Sequence, residues 1–277
     1  MDMTREIRIE EGKLKVVFEI QENGVVELKQ FDPAGRMDVK ERDRGEEDFY
    51  PITEIQITGR GTRGMHAYKH NVSGGATDFV YQSHEVLENE KGKELVIHTA
   101  TEYGVKGEYH MQFYANVAAV QVWTTLKNEG TEEIGLEYVS SFIYQGLCQS
   151  GEKPYFEKTS IYTPHNSWDC ESQWRKNDCR EINLSGMAVN GFNTPGFGMN
   201  RYCYGGHSSW STCEYLPMGI CEDEECKVTY FFQVEHSGQW LIEYGPSTGE
   251  RLYVALSGAT ETEHGWWKNL KPGDTFT

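Results

Sequence analysis

Apolar residues recur at every second position over most of this chain, and that period decides what it can fold into. Leu14, Val16, Phe18 and Ile20 alternate with Lys13, Lys15 and Glu19. The same beat returns at Val120, Val122, Thr124 and Leu126, and at Val228, Tyr230, Phe232 and Val234, with shorter copies at Ile55–Ile57, Leu95–Ile97 and Leu252–Leu256. A period of two places one side-chain set on each face of a strand. Turn residues punctuate the runs: Asn23-Gly24, Asp32-Pro33, Glu90-Lys91-Gly92-Lys93, Asn128-Glu129-Gly130 and Ser237-Gly238. Nowhere does an apolar stripe of helical period persist for twelve residues. Short strands with one buried face pair antiparallel and need a second sheet to cover that face, so the pattern predicts a large two-sheet, antiparallel all-β sandwich.

The composition supports a packed core, with 38% hydrophobic and 13% aromatic residues in 277. A net charge of −17 repels nucleic acid and anionic membranes and leaves neutral partners such as sugars unaffected. Seven cysteines without a Cys-x-x-Cys spacing read as free thiols rather than a disulfide or zinc framework. The start of the chain lacks an apolar leader and no run is long enough to span a bilayer, so the expectation is a soluble, cytoplasmic protein.

Two stretches resist the strand reading and are expected to be long loops: residues 59–78, rich in glycine, and residues 145–215, rich in Gly, Asn, Ser, Trp and Cys. The first gathers Arg60, Arg63, His66, Lys69 and His70, donors suited to hydroxyls or carboxylates. His66 and His70 have a zinc-like spacing on a helix, but the glycines around them argue against a helix, and no metal is expected. The second carries Trp168 and Trp174, and with Trp210, Trp240, Trp266 and Trp267 it crowds six indoles into the last 110 residues. Indole faces stack on the C–H faces of sugar rings. Of the 43 acidic residues, Glu171, Glu214 and Glu235 sit among aromatic or apolar neighbours. Neither a G-x-S-x-G elbow, a G-x-G-x-x-G nor a phosphate-binding P-loop occurs, so no cofactor is expected.

In these segments the sequence resembles glycoside hydrolase family 36, the microbial α-galactosidases. The similarity runs through Tyr50–Gly59 with His66 and Lys69-His70, Pro164–Trp168 with Glu171–Trp174, Ser209–Gly219, Glu235–Trp240 and His264–Gly273. It implies a β-supersandwich over residues 1–262 and a connector over 263–277 that leads to a (β/α)₈ barrel this chain does not contain. The family's catalytic aspartates belong to that barrel, so the chain alone is expected to be inactive, with no catalytic residue of its own. The parent reaction is retaining hydrolysis of terminal α-galactosides. The resemblance further implies a homo-oligomer in which loops of this domain lie over a neighbouring subunit's substrate cleft. Arg60, Arg63, His66, Lys69, His70 and Trp168 are the candidate sugar contacts. Arg60-Gly61-Thr62-Arg63-Gly64 departs from the family, where acidic residues are commoner. Two other classes remain open: a free-standing sugar mutarotase using His70 or His236 with Glu235, and a carbohydrate-binding β-sandwich using exposed tryptophans.

Overall fold

The computed structural model describes residues 5–33, 50–63, 69–185, 200–247 and 251–277. His66 lies outside them. The described residues form an antiparallel all-β fold with one four-residue helix and two short 3₁₀ turns.

Strands β1 (Arg5–Glu11), β2 (Leu14–Ile20) and β3 (Val26–Pro33) make a three-stranded meander. The Asn23-Gly24 turn joins the last two: Asn23 Oδ1 accepts from the Val25 amide, and Gly24 takes the positive φ the turn requires. After β4 (Ile55–Ile57), a second meander follows, comprising β5 (Val80–Asn89), β6 (Gly92–Ala100), β7 (Val105–Phe113) and β8 (Val120–Asn128). The long β9 (Ile134–Leu147) is shared. Its first half pairs with β4 and its second half with a later strand.

β10 (Thr159–His165) and β11 (Gln173–Asp178) form a hairpin, followed by β12 (Tyr202–Gly206). β13 (Met218–Asp223) and β14 (Val228–Gln233) extend the hairpin into a four-stranded sheet of order β11-β10-β13-β14. β15 (Trp240–Ser247) and β16 (Arg251–Gly258) complete the sheet β12-β15-β16-β9. The helix α1 (Glu261–His264) is capped by the Thr260 hydroxyl and stopped by Gly265 in the left-handed region. β17 (Lys268–Leu270) then pairs with β9, and β18 (Thr275–Phe276) with β8. Residues 263–277, read from the sequence as a connector, therefore carry strands of two sheets, and Leu270 is buried in the core.

Hydrogen bonding thus divides the strands among four sheets rather than two. One core joins them: Phe18 meets Tyr109 edge-on, and Phe31 and Phe232 both contact Phe142. The region 145–215 is not one long loop, because it holds β10, β11 and β12. β10 is buried on both faces and β11 is exposed on both, so neither shows the alternation that marks β14. All seven cysteines are free. Cys148, Cys179 and Cys221 are buried, with the Sγ atoms of Cys148 and Cys221 3.6 Å apart, whereas Cys170 and Cys213 are exposed. Among the described residues no helix is long and apolar enough to cross a membrane, and no group of three or more His, Cys, Asp or Glu side chains is placed to hold a metal ion.

Candidate functional site

The basic loop expected to face a ligand turns most of its donors inward. Glu54 precedes β4 and is fully buried. It accepts the Arg63 guanidinium and, at 2.9 Å, the Ser73 amide. Burial pushes the Glu54 carboxyl up, against the pull of Arg63 and Ser73. Arg63 also donates to the carbonyls of Ser73 and Asn71, at 3.0 and 3.1 Å, and so ties the two arms of the loop together. Gly74 lies against this junction, where a Cβ would collide with the carbonyl oxygens of Gly61 and Arg60. Gly74→Ala is accordingly expected to destabilise the fold by about 1–3 kcal/mol, the usual range for overpacking. A thermal melt indistinguishable from the parent's would show that the junction yields freely.

His70 is bound to Glu243 of β15 twice, through its backbone N–H at 2.8 Å and its Nδ1 at 2.7 Å. Glu243 is also fully buried, and it accepts from the Tyr253 hydroxyl and from Arg201 at 2.8 Å. Burial by itself raises the Glu243 carboxyl, but His70, Tyr253 and Arg201 hold it at about 2. Lys69 donates to the Pro246 carbonyl at 2.6 Å and lies over the Tyr253 ring. Burial, offset in part by Glu243, lowers its amine to about 8. Lys69 and His70 are thus buried anchors. Of the five basic residues, Arg60 alone among those described is well exposed, and it pairs with Asp78 at 3.2 Å across the face of Tyr103.

A broad concavity lies elsewhere. A cleft of about 610 Å³ opens between β8 and β9, walled by Trp123, Ser140 and Ser141 and closed by the segments around His207, His236 and Trp266. No Asp, Glu, Lys or Arg side chain lines it among the described residues. The His236 ring accepts from the Gly238 amide at Nδ1, 3.0 Å away, so its neutral form carries the proton on Nε2. His207 stacks on His264 with centroids 5.0 Å apart, and burial together with this neighbour lowers the His264 imidazole. Glu235 is exposed and accepts from Gln121, while Glu171 and Glu214 are exposed on loops.

Trp168 stands 78% exposed on the turn between β10 and β11, and Trp210 63% exposed on the loop after β12. Their rings are nearly parallel, 28° apart with centroids at 6.4 Å. Sequence reading found Trp168 but not its pairing, which joins turns 42 residues apart. The two loops are laced together: the Asn166 amide N–H donates to the Glu214 carbonyl at 2.8 Å, and the Asn166 side chain donates to the Thr212 carbonyl and accepts from Ser172. Asp169 and Ser172 hold positive φ, a local strain sustained by this lacing.

No protein family matches the sequence, and no curated protein matches it. Solved structures do match in fold. The family GH36 α-galactosidase AgaA from Geobacillus stearothermophilus superposes with a TM-score of 0.69 at 14% identity, over 98% of this chain and 39% of that one. The α-galactosidase from Lactobacillus brevis gives 0.65 at 11% identity, over 99% of this chain and 38% of that one. The galactosidase domain of the α-galactosidase-sucrose kinase AgaSK gives 0.66 at 13%, over 99% and 39%.

This chain has the fold of part of a GH36 α-galactosidase. It spans about two fifths of the length of those proteins.

Proposed function

We propose that this chain is a non-catalytic β-supersandwich domain of an α-galactosidase-like glycoside hydrolase. The observation that carries the reading is the extent of the fold match, which takes in 98–99% of this chain while leaving some three fifths of each α-galactosidase unmatched. In the complete enzyme two carboxylates outside this domain perform retaining hydrolysis of a terminal α-galactoside. This domain supports the barrel, joins subunits in a homo-oligomer, and presents at the rim of a neighbouring cleft Arg60, on a loop fixed by Arg63, Lys69 and His70, and Trp168, on a turn held by Asn166. His66, the remaining candidate contact, lies outside the described residues.

The acids of this chain support a structural role. Glu54 and Glu243 are enclosed by donors, and a carboxylate held at about 2 is too weak a base for proton transfer near neutral pH. Among the described residues no Asp or Glu side chain lines the cleft, so it offers no pair of carboxylates in position for a glycosidase. Purified chain is therefore expected to release no aryl alcohol from a chromogenic α-galactoside above the buffer rate. Turnover that disappears on replacing one carboxylate would overturn the reading.

A further inference from the structure

We propose that the cleft between β8 and β9, together with the Trp168–Trp210 pair beside it, is a binding site of this domain for a neutral oligosaccharide. The site stands on the side chains named below; it rests on the rim role given to Trp168 above and is separate from the basic loop.

Size comes first. A volume of about 610 Å³ falls inside the range of about 300–1,000 Å³ found for small-molecule sites. Charge then narrows the ligand. The protein carries −17 overall, yet the cleft is lined by hydroxyls, an amide, imidazoles and aromatic rings, without an Asp, Glu, Lys or Arg side chain among the described residues. Among the described residues a phosphate or sulfate would find no lysine or arginine there, and a basic peptide no acidic side chain. A polyol needs the opposite of charge: several short neutral donors and acceptors beside flat apolar surface. Ser208, Ser209 and Gln239 supply the former, and Trp123 and Trp266 the latter.

The paired indoles extend this surface. Ser208 and Ser209 line the cleft, and Trp210 is the next residue. Ser208 Oγ accepts from the Trp210 amide at 3.0 Å and lies 3.2 Å from its carbonyl, so a cleft-lining hydroxyl fixes the backbone that carries the exposed ring. Trp168 is held alongside by the Asn166 hydrogen bonds. Ordering these loops has already been done in the fold, which lowers the entropy a ligand must overcome. Two nearly parallel exposed rings next to a hydroxyl-lined cleft match a chain of sugar rings better than a single one.

The test uses the whole chain and stachyose, a neutral tetrasaccharide, with calorimetry and tryptophan fluorescence as readouts. Saturable binding is expected, weakened about tenfold or more by Trp168→Ala and by Trp210→Ala. His236→Gln is expected to weaken it several-fold, and Trp267→Ala, exposed but outside the cleft lining, to leave it unchanged. Both exposed-indole variants should keep the parent's near-ultraviolet dichroism and melting temperature, so that lost affinity is not lost fold. Three results would each overturn the site: no saturable signal up to the solubility limit, affinity indifferent to both indole variants, or indole variants that change sedimentation instead of affinity, which would mark a protein contact. Failure of this binding leaves the enzyme-support reading standing, because that reading is tested by turnover.

Discussion

Replacing Glu243 with alanine is expected to lower the free energy of unfolding by about 3–5 kcal/mol, the usual cost of removing one member of a buried charged group. Four donors converge on this carboxylate: the His70 amide and ring, Tyr253 and Arg201. Arg201 retains Glu263 at 2.5 Å, but His70 and Tyr253 lose their acceptor inside the protein. For a chain of this size the melting temperature should fall by on the order of 10 °C. Urea denaturation of the parent, Glu243→Ala and Glu243→Gln checks this, with the glutamine variant intermediate because it retains volume and one acceptor. A loss under about 1 kcal/mol for the alanine variant would mean that the network contributes little.

The same carboxylate sets a dependence on pH. Its folded value, about 2, lies below the 4.5 of an ordinary glutamate, so the unfolded chain takes up the proton first as the solution is acidified. The stabilisation is complete above about pH 4.5 and is lost as pH falls toward 2. Over that window roughly 3 kcal/mol should disappear from the parent on account of this group. Glu243→Gln should have a shallower slope there.

Trp240→Ala is the second large effect, expected at about 3–5 kcal/mol. Trp240 is fully buried on β15, edge-on to Tyr204 with centroids 6.0 Å apart, and its Nε1 donates to the Ser211 carbonyl at 2.6 Å. It therefore packs the core and fastens the loop that carries Trp210. Trp240→Phe separates these duties. The ring still fills most of the space, while the Ser211 carbonyl loses its donor, at a cost of about 1 kcal/mol. The phenylalanine variant should remain folded by chemical denaturation and yet bind stachyose more weakly than the parent. Unchanged affinity would detach the loop's order from the core.

The all-β, antiparallel character was legible because strands such as β8 and β14 are half buried and therefore alternate, and because Asn23-Gly24 and Glu90–Lys93 do mark turns between strands. β10 and β11 were hidden by their surroundings, one enclosed on both faces and the other open on both. Division into four sheets depends on which strands exchange hydrogen bonds, a tertiary choice that local pattern does not encode. The basic loop was visible as a concentration of charge, but its anchoring was not, since His70 and Glu243 are 173 residues apart. A signal did exist in Trp240-Leu241-Ile242-Glu243-Tyr244, where one acid interrupts an apolar run and calls for buried partners. Trp168 could be found from sequence; Trp210 becomes meaningful only once β12 and the β10–β11 turn are brought together.

The distribution of thiols has a practical consequence. Cys170 follows Trp168 by two residues and Cys213 follows Trp210 by three, and both are exposed, whereas Cys148, Cys179 and Cys221 are sealed in the interior. Maleimide dyes would therefore attach first beside the two indoles, ahead of the half-buried Cys203 and Cys226, without any engineered handle, and the native protein would report events at that rim as changes in fluorophore brightness. The sealed sulfurs would join the reaction only when the β-sheets come apart, so one reagent distinguishes a local encounter from global opening by its stoichiometry.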